Sequence, residues 1–167
     1  GIFYRDDESG DAHKFTQSLA RLCENEGVEF RYETTIESLA ARGDRIEAAA
    51  TDRGSVSGDT FVLATGADTP RLVRRLGMKV PIYPVKGYSV TLPVNEHNRA
   101  PTVSITDESR KIVVSRLGER LRAAGTAEIA GYDLGLNPLR ARSILEVALE
   151  LFPDGGDVEQ AEYWTGL

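Results

Sequence analysis

Residues 80–133 read as strand after strand with no helical stretch between them, and this constrains the fold more than any other feature. "VPIYPVKGYSVTLPV" and "TVSITDESRKIVVSRLGERLRAAGTAEIAGYD" are rich in β-branched and aromatic residues. Turn residues punctuate them at Asp107-Glu108, at Gly118-Glu119 and at Gly131. Strands joined by such short turns pair antiparallel, so the second half predicts an antiparallel sheet. Asn137 as a cap, followed by Pro138, then opens a helix whose Ala141, Ile144, Leu145, Ala148, Leu151 and Phe152 share one face, and Pro153 closes it. "VEQAEYWTGL" reads as a last, incomplete strand.

The first half mixes helix and strand. Asp11 caps a predicted helix from Ala12 to about Glu26, with Phe15, Leu19, Leu22 and Cys23 on one face and Gly27 as the left-handed stop. "VEFRYE" (residues 28–33) alternates as a strand. "TTIESLAARGDRIEAAATDRG" reads as two strands about a turn at Gly43 and Asp44, and "SVSGDTFVLATG" leads into a third. Thr69 with Pro70, and Gly77 after Leu76, bracket a short helix. The fold class is therefore α+β, with a boundary near residues 77–80.

Composition narrows the function. At 167 residues, 41% hydrophobic and 28% charged, the chain suits one globular domain of ordinary size. Its single cysteine excludes an internal disulfide framework and a cysteine-built zinc cage, and fits a reducing compartment. Net charge is -6, spread along the chain with no basic stripe, which argues against nucleic acid. "RLVRR" (residues 71–75) is too short to change that. His13 and His97 have no third ligand at metal spacing, so no metal site is expected. "DDE" (residues 6–8) reads as a solvated acidic turn, and no nucleophile elbow or Cys-His arrangement occurs. No apolar run is long enough to span a membrane, and the N-terminus has neither part of a signal peptide.

One stretch carries chemistry. In "TFVLATGADTP" (residues 60–70) a strand-like run, 61–64, ends at Thr65, Gly66 and Ala67, where side chains nearly vanish. Such a turn offers main-chain N–H groups with no bulky substituent at a sheet edge, and a nucleotide is its natural guest. The competing reading is a tight turn into the helix at Thr69, and the residues alone do not separate the two.

Together with "TTIESL", "VLATGA", "YPVKGYSV", "SRLGERLRAAGTAE" and "EYWTGL", in that order and spacing, this stretch resembles the D-amino acid oxidase and dehydrogenase family of flavoproteins across essentially all 167 residues. "DESGD", "YPVKGYS", "SRLG", "NP" and "FPDGGD" make it most similar to the small-subunit branch of the bacterial D-amino acid dehydrogenases. The resemblance implies part of a FAD-binding α/β, Rossmann-like domain over residues 1–78. It also implies a substrate-binding domain over 79–167, a mostly antiparallel sheet with a flanking helix at 138–152. The family's GxGxxG pyrophosphate turn has no match here, and the arginine that grips substrate carboxylate would follow Leu167. The chain is therefore expected to be an internal fragment, inactive and without retained FAD by itself.

Carried over residue by residue, the resemblance implies that main chain at Ile36 meets the adenine edge, and that Ala64, Thr65 and Gly66 pack against the dinucleotide. Lys86 and Gly87 stand in a strand crossing towards substrate, and either the lysine nitrogen or the glycine backbone faces the cofactor; the competing reading of the residues is a solvated lysine at a strand bend. Relatives that oxidise glycine place an aromatic residue near Lys111, and this chain has none, so Tyr88 and Arg116 are the substitute catalytic candidates. The implied reaction converts a D-amino acid to a 2-oxo acid and ammonia, with hydride passing to flavin and electrons to an acceptor such as a quinone. The expected location is cytoplasmic, peripheral to the inner face of a bacterial membrane. The alternatives are a glycine- or sarcosine-oxidase-like amine oxidase and a non-enzymatic ligand- or protein-binding domain. Strand edges at 28–33 and 60–65 are expected to drive self-association.

Overall fold

The structure, a computed structural model, describes all 167 residues. They divide into two compact units, residues 20–83 and residues 1–19 with 84–167.

In the smaller unit β1 (Ile36–Arg42), β2 (Arg45–Thr51) and β3 (Gly54–Ser57) form an antiparallel meander in that order. The turn at Gly43 and Asp44 falls where the sequence places it, between β1 and β2. The third strand does not: it is Gly54–Ser57, and residues 60–65 run on without strand pairing. Residues 28–33 likewise form a loop and a turn rather than a strand. Their composition suits a pleated surface, but a strand exists only where a neighbour accepts its main-chain hydrogen bonds, and neither segment has one here. After Gly66 the chain enters α2 (Thr69–Val73), extended by a turn of tighter helix that Gly77 ends with φ 75. Pro70 occupies the first turn, where its missing N–H is no loss.

The helix α1 (Ala12–Asn25) begins as read from the sequence, with the Asp11 carboxylate accepting from the N–H groups of His13 and Lys14. Its apolar face is not buried, however. Phe15, Leu19 and Leu22 are exposed, and Cys23 is half-buried rather than in a core, because nothing in this structure packs over that face.

The larger unit carries the predicted antiparallel sheet. Its strands are β4 (Lys86–Pro93), β5 (Ile105–Asp107), β6 (Ile112–Arg116), β7 (Arg120–Glu128) and β8 (Glu162–Gly166), in the order β5-β6-β7-β4-β8. Strand alternation sorts the residues by face. Tyr88, Val90, Leu92, Ile112, Val114, Leu121 and Ala123 point to one side and form the core with Ala141, Ile144 and Ala148 of α3 (Pro138–Leu151). Asn137 caps α3 through its side-chain oxygen, which accepts from the N–H groups of Leu139 and Arg140. The opposite face carries Gly87, Ser89, Thr91, Val113, Arg122 and Trp164, and no helix packs on it.

β7 holds one residue too many for β4. Gly87 pairs with Ala127 and Tyr88 with Gly125, so Thr126 is a bulge. It sits at φ 54, a left-handed conformation that a β-branched residue adopts only under constraint, and its hydroxyl is buried with no hydrogen-bond partner.

Candidate functional site

The predicted residues fall in both units. In the smaller one, Ile36 opens β1, and Ala64, Thr65 and Gly66 form the turn into α2, which packs against β1. The turn is open. Val62 is 84% exposed, Gly66 has φ 50, and a Cβ built on Gly66 would meet no atom within 4 Å. Residues 60–65 therefore present main-chain donors and acceptors to whatever lies against them, while the Thr65 and Thr69 hydroxyls bond each other across the first turn of the helix. The same unit has a cleft of about 280 Å³ lined by Phe30, Tyr32, Thr51, Arg53 and Ser55. It contains none of the predicted residues, and the two arginines along it are paired, Arg31 with Glu29 and Arg53 with Glu33.

In the larger unit, Lys86, Gly87 and Tyr88 are consecutive on β4, whereas Arg116 lies at the far end of the sheet and donates to Gly118 O within its own turn. Lys86 is not a solvated lysine at a strand bend. It is 2% exposed, and a buried ammonium needs acceptors for its three protons. Glu128 Oε2 at 2.9 Å and the carbonyl of Gly135 at 2.8 Å supply two, and the nitrogen lies 5.4 Å from the centre of the Tyr88 ring. The Tyr88 hydroxyl also donates to Glu128, and Arg140 at the start of α3 approaches the other carboxylate oxygen at 3.7 Å.

These contacts set the charges. The Tyr88 hydroxyl first, then the Lys86 ammonium, hold Glu128 below the usual carboxyl range against the opposing effect of burial. Glu128 in turn raises Lys86 above its ordinary value, outweighing desolvation. Both groups are thus charged at neutral pH, and the pair anchors the loop 129–137 to β4. Thr165 on β8 holds the same loop through Leu134 O at 2.7 Å. Tyr88, itself 2% exposed, faces the core side of the sheet.

Sequence reasoning missed Glu128 and the Gly135 carbonyl. Alternation puts Lys86 and Tyr88 on one face, but a partner some forty residues away is set by strand register, which residue types alone do not give. It also passed over the helix-free face. There Arg122 Nη2 donates to Ser89 Oγ at 3.1 Å and the guanidinium lies 5.6 Å from the Trp164 ring. The indole covers Gly166, where a Cβ would fall 1.9 Å from Trp164 Cη2. Beside it Gly87 is bare, with nothing nearer to an added Cβ than Gly166 O at 4.0 Å. No group of three or more His, Cys, Asp or Glu side chains is arranged to hold a metal.

The residues fit a flavin dinucleotide in part. The open main chain at 62–67 and the bare surface at Gly87 are cradles in which a planar ring or a sugar meets no side chain. A turn of the GxGxxG kind, which would seat the pyrophosphate, is not among residues 1–167.

Comparison with known proteins agrees with these features. The family model described as FAD dependent oxidoreductase matches residues 1–167. The D-amino acid dehydrogenase of Paramagnetospirillum magneticum is 59% identical over the whole chain, and that of Rhizorhabdus wittichii is 46% identical, again over all of it. The chain spans 40% of the length of each of these curated relatives. Among solved structures, glycine oxidase from Bacillus cereus superposes with a TM-score of 0.77 at 22% identity, covering 93% of this chain and 42% of that one. L-proline dehydrogenase from P. horikoshii superposes with a TM-score of 0.74 at 18% identity, covering 92% and 42%. At those identities the likeness is one of fold.

Proposed function

This chain belongs to the family of FAD-dependent oxidoreductases, and on that footing we propose that it serves in the oxidation of D-amino acids to 2-oxo acids and ammonia, as a D-amino acid dehydrogenase. The observation that carries this reading is the 59% identity, without interruption, to a protein of that name. The glycine-oxidase alternative has less support, since those structures are only 22–24% identical.

Flavin adenine dinucleotide, when bound, supplies the two-electron acceptor for the substrate Cα–H bond. The chain's own part is to bind and orient. Main chain at Ile36 and at Ala64, Thr65 and Gly66 holds the adenosine end, and Gly87 gives a close, side-chain-free approach. Lys86 acts from beneath the sheet: with Glu128 and Tyr88 it fixes the start of β4 and the loop 129–137 about the substrate side. Tyr88 and Arg116 remain candidates only as positioning groups, because the first is buried against Glu128 and the second bonds its own turn. No side-chain base is needed when the amine enters neutral.

The domain reading goes with it: residues 1–78 serve the dinucleotide and 79–167 the substrate. For the acceptor we propose a quinone, met at the inner face of a bacterial membrane; no helix here is long and apolar enough to cross one. We propose further that copies associate through the exposed Val28, Tyr32 and Val62, and a monodisperse monomer by light scattering at high concentration would refute that contact.

The test is direct. The full gene product, with added flavin adenine dinucleotide, should reduce an artificial dye or a short-chain quinone on addition of D-alanine, releasing pyruvate and ammonia. Residues 1–167 alone should give no turnover. If no member of a panel of D-amino acids reduces either acceptor, the reading falls.

A further inference from the structure

We propose that Arg122, held between Ser89 and Trp164 on the helix-free face of the sheet, is a binding residue for the carboxylate of a small organic acid. Four observations lead there. Ser89 is 3% exposed although no helix covers its face, so Arg122 and Trp164 themselves must roof it. Arg122 is half-buried and forms no ion pair, whereas Arg110, Arg120 and Arg140 in the same unit each lie within reach of a carboxylate. A guanidinium carries five N–H donors, and the Ser89 hydroxyl takes one. The remaining donors are held in place by the Ser89 bond below and the indole beside, which reduces the rotamer entropy lost on binding. Finally, Gly87, on the same face of the sheet, is bare, with no atom nearer to an added Cβ than Gly166 O at 4.0 Å, which leaves room on that face for a small ligand.

An arginine fork matches a carboxylate through two parallel hydrogen bonds, and a half-desolvated setting strengthens them. The ligand class is therefore a carboxylate-bearing small molecule with an apolar part to lie on the indole. It is an amino acid or 2-oxo acid if the function proposed above is right, and the inference rests on that reading only for this choice of ligand. The carboxylate is either the α-carboxylate or one on the substrate side chain.

Trp164 is the sole tryptophan, so its fluorescence reports on the cluster. The chain is titrated with acetate, D-alanine, pyruvate and D-glutamate, with sodium chloride and D-alaninamide as controls at equal ionic strength. A saturable change with acetate, pyruvate and D-alanine identifies the α-carboxylate; a change with D-glutamate alone identifies the side-chain carboxylate. Either supports the proposal. Arg122→Gln, which retains a donor for Ser89, should weaken binding by about tenfold or more. Arg122→Lys should fall between, and Arg142→Gln on the exposed side of α3 should bind as the unaltered chain does. Three outcomes would overturn the idea: no saturable response to any carboxylate, an equal response to chloride or the amide, or an unchanged dissociation constant in Arg122→Gln. Should Arg122→Gln fail to fold by circular dichroism, the Arg122→Lys comparison and the selectivity of the unaltered chain decide. Binding without dye reduction by the full gene product would leave this proposal standing and remove the dehydrogenase reading instead.

Discussion

Replacing Ile144 by alanine tests how the two faces of the large sheet divide their labour. Ile144 is 0% exposed and packs from α3 onto the side of the sheet formed by Tyr88, Val90 and Leu121. The change removes three carbons, and at about 0.8 kcal/mol for each the lost transfer free energy is about 2.4 kcal/mol. The sheet on one side and the helix backbone on the other limit collapse into the space, so a cavity contribution raises the total to roughly 3–4 kcal/mol. Ile144→Val removes one carbon and should cost about 1 kcal/mol. Urea unfolding followed by far-ultraviolet circular dichroism gives both values, and for a chain of this size the alanine variant should melt about 10 °C lower. Carboxylate binding reported by Trp164, on the other side of the sheet, should be unchanged wherever the variant is folded. A loss below about 1 kcal/mol in Ile144→Ala would refute the packing argument. Equal losses of stability and of ligand affinity would refute the separation of the faces.

Two further outcomes follow from the buried pair and from the indole. Glu128 is held below its ordinary value of 4.5, so the stability it contributes is complete above pH 4.5 and is lost as pH falls through its lower folded value. Lys86 is raised above 10.5, so its share is complete below pH 10.5 and is lost as pH rises through the folded value. Glu128→Gln should therefore flatten the acid limb of a plot of urea midpoint against pH, and an acid limb identical to that of the unaltered chain would show that the pairing does not form. Gly166→Ala must push the indole off its seat, since the new carbon would overlap Trp164 Cη2. The tryptophan emission should shift to the red and carboxylate binding should weaken, with backbone circular dichroism retained; an unshifted spectrum would contradict the placement of the ring.

What residue types could predict was local. The cap at Asn137, the stop at Gly77, the turn at Gly43 and the strand-rich second half all depend on neighbours within a few positions, and they stand where the sequence puts them. Residues 28–33 and 60–65 were misjudged as strands because alternation describes faces, while strand formation needs a partner that no local pattern supplies. The site shows the same limit. Lys86, Gly87 and Tyr88 were legible as a cluster by adjacency, but the acid that neutralises the lysine and the serine and tryptophan that steady Arg122 come from other strands. Even the reading of Lys86 as solvated failed for this reason, since its burial depends on Glu128 and the Gly135 carbonyl.

The odd conformation of Thr126 decides where a charge emerges. Were Thr126 paired in regular register after the Tyr88–Gly125 pair, Lys86 would stand opposite Ala127, and Glu128 would surface on the other side of the sheet. With Thr126 bulged out of the ladder, the acid turns inward at the level where the ammonium waits. Shortening β7 by this one threonine would leave Ala127 opposite Gly87 and Glu128 opposite Lys86 and so keep the match; forcing the threonine into the ladder is what would strand a cation in the interior and deliver an unmatched anion to the other side, reversing the electrostatic sense of both surfaces through a single peptide unit.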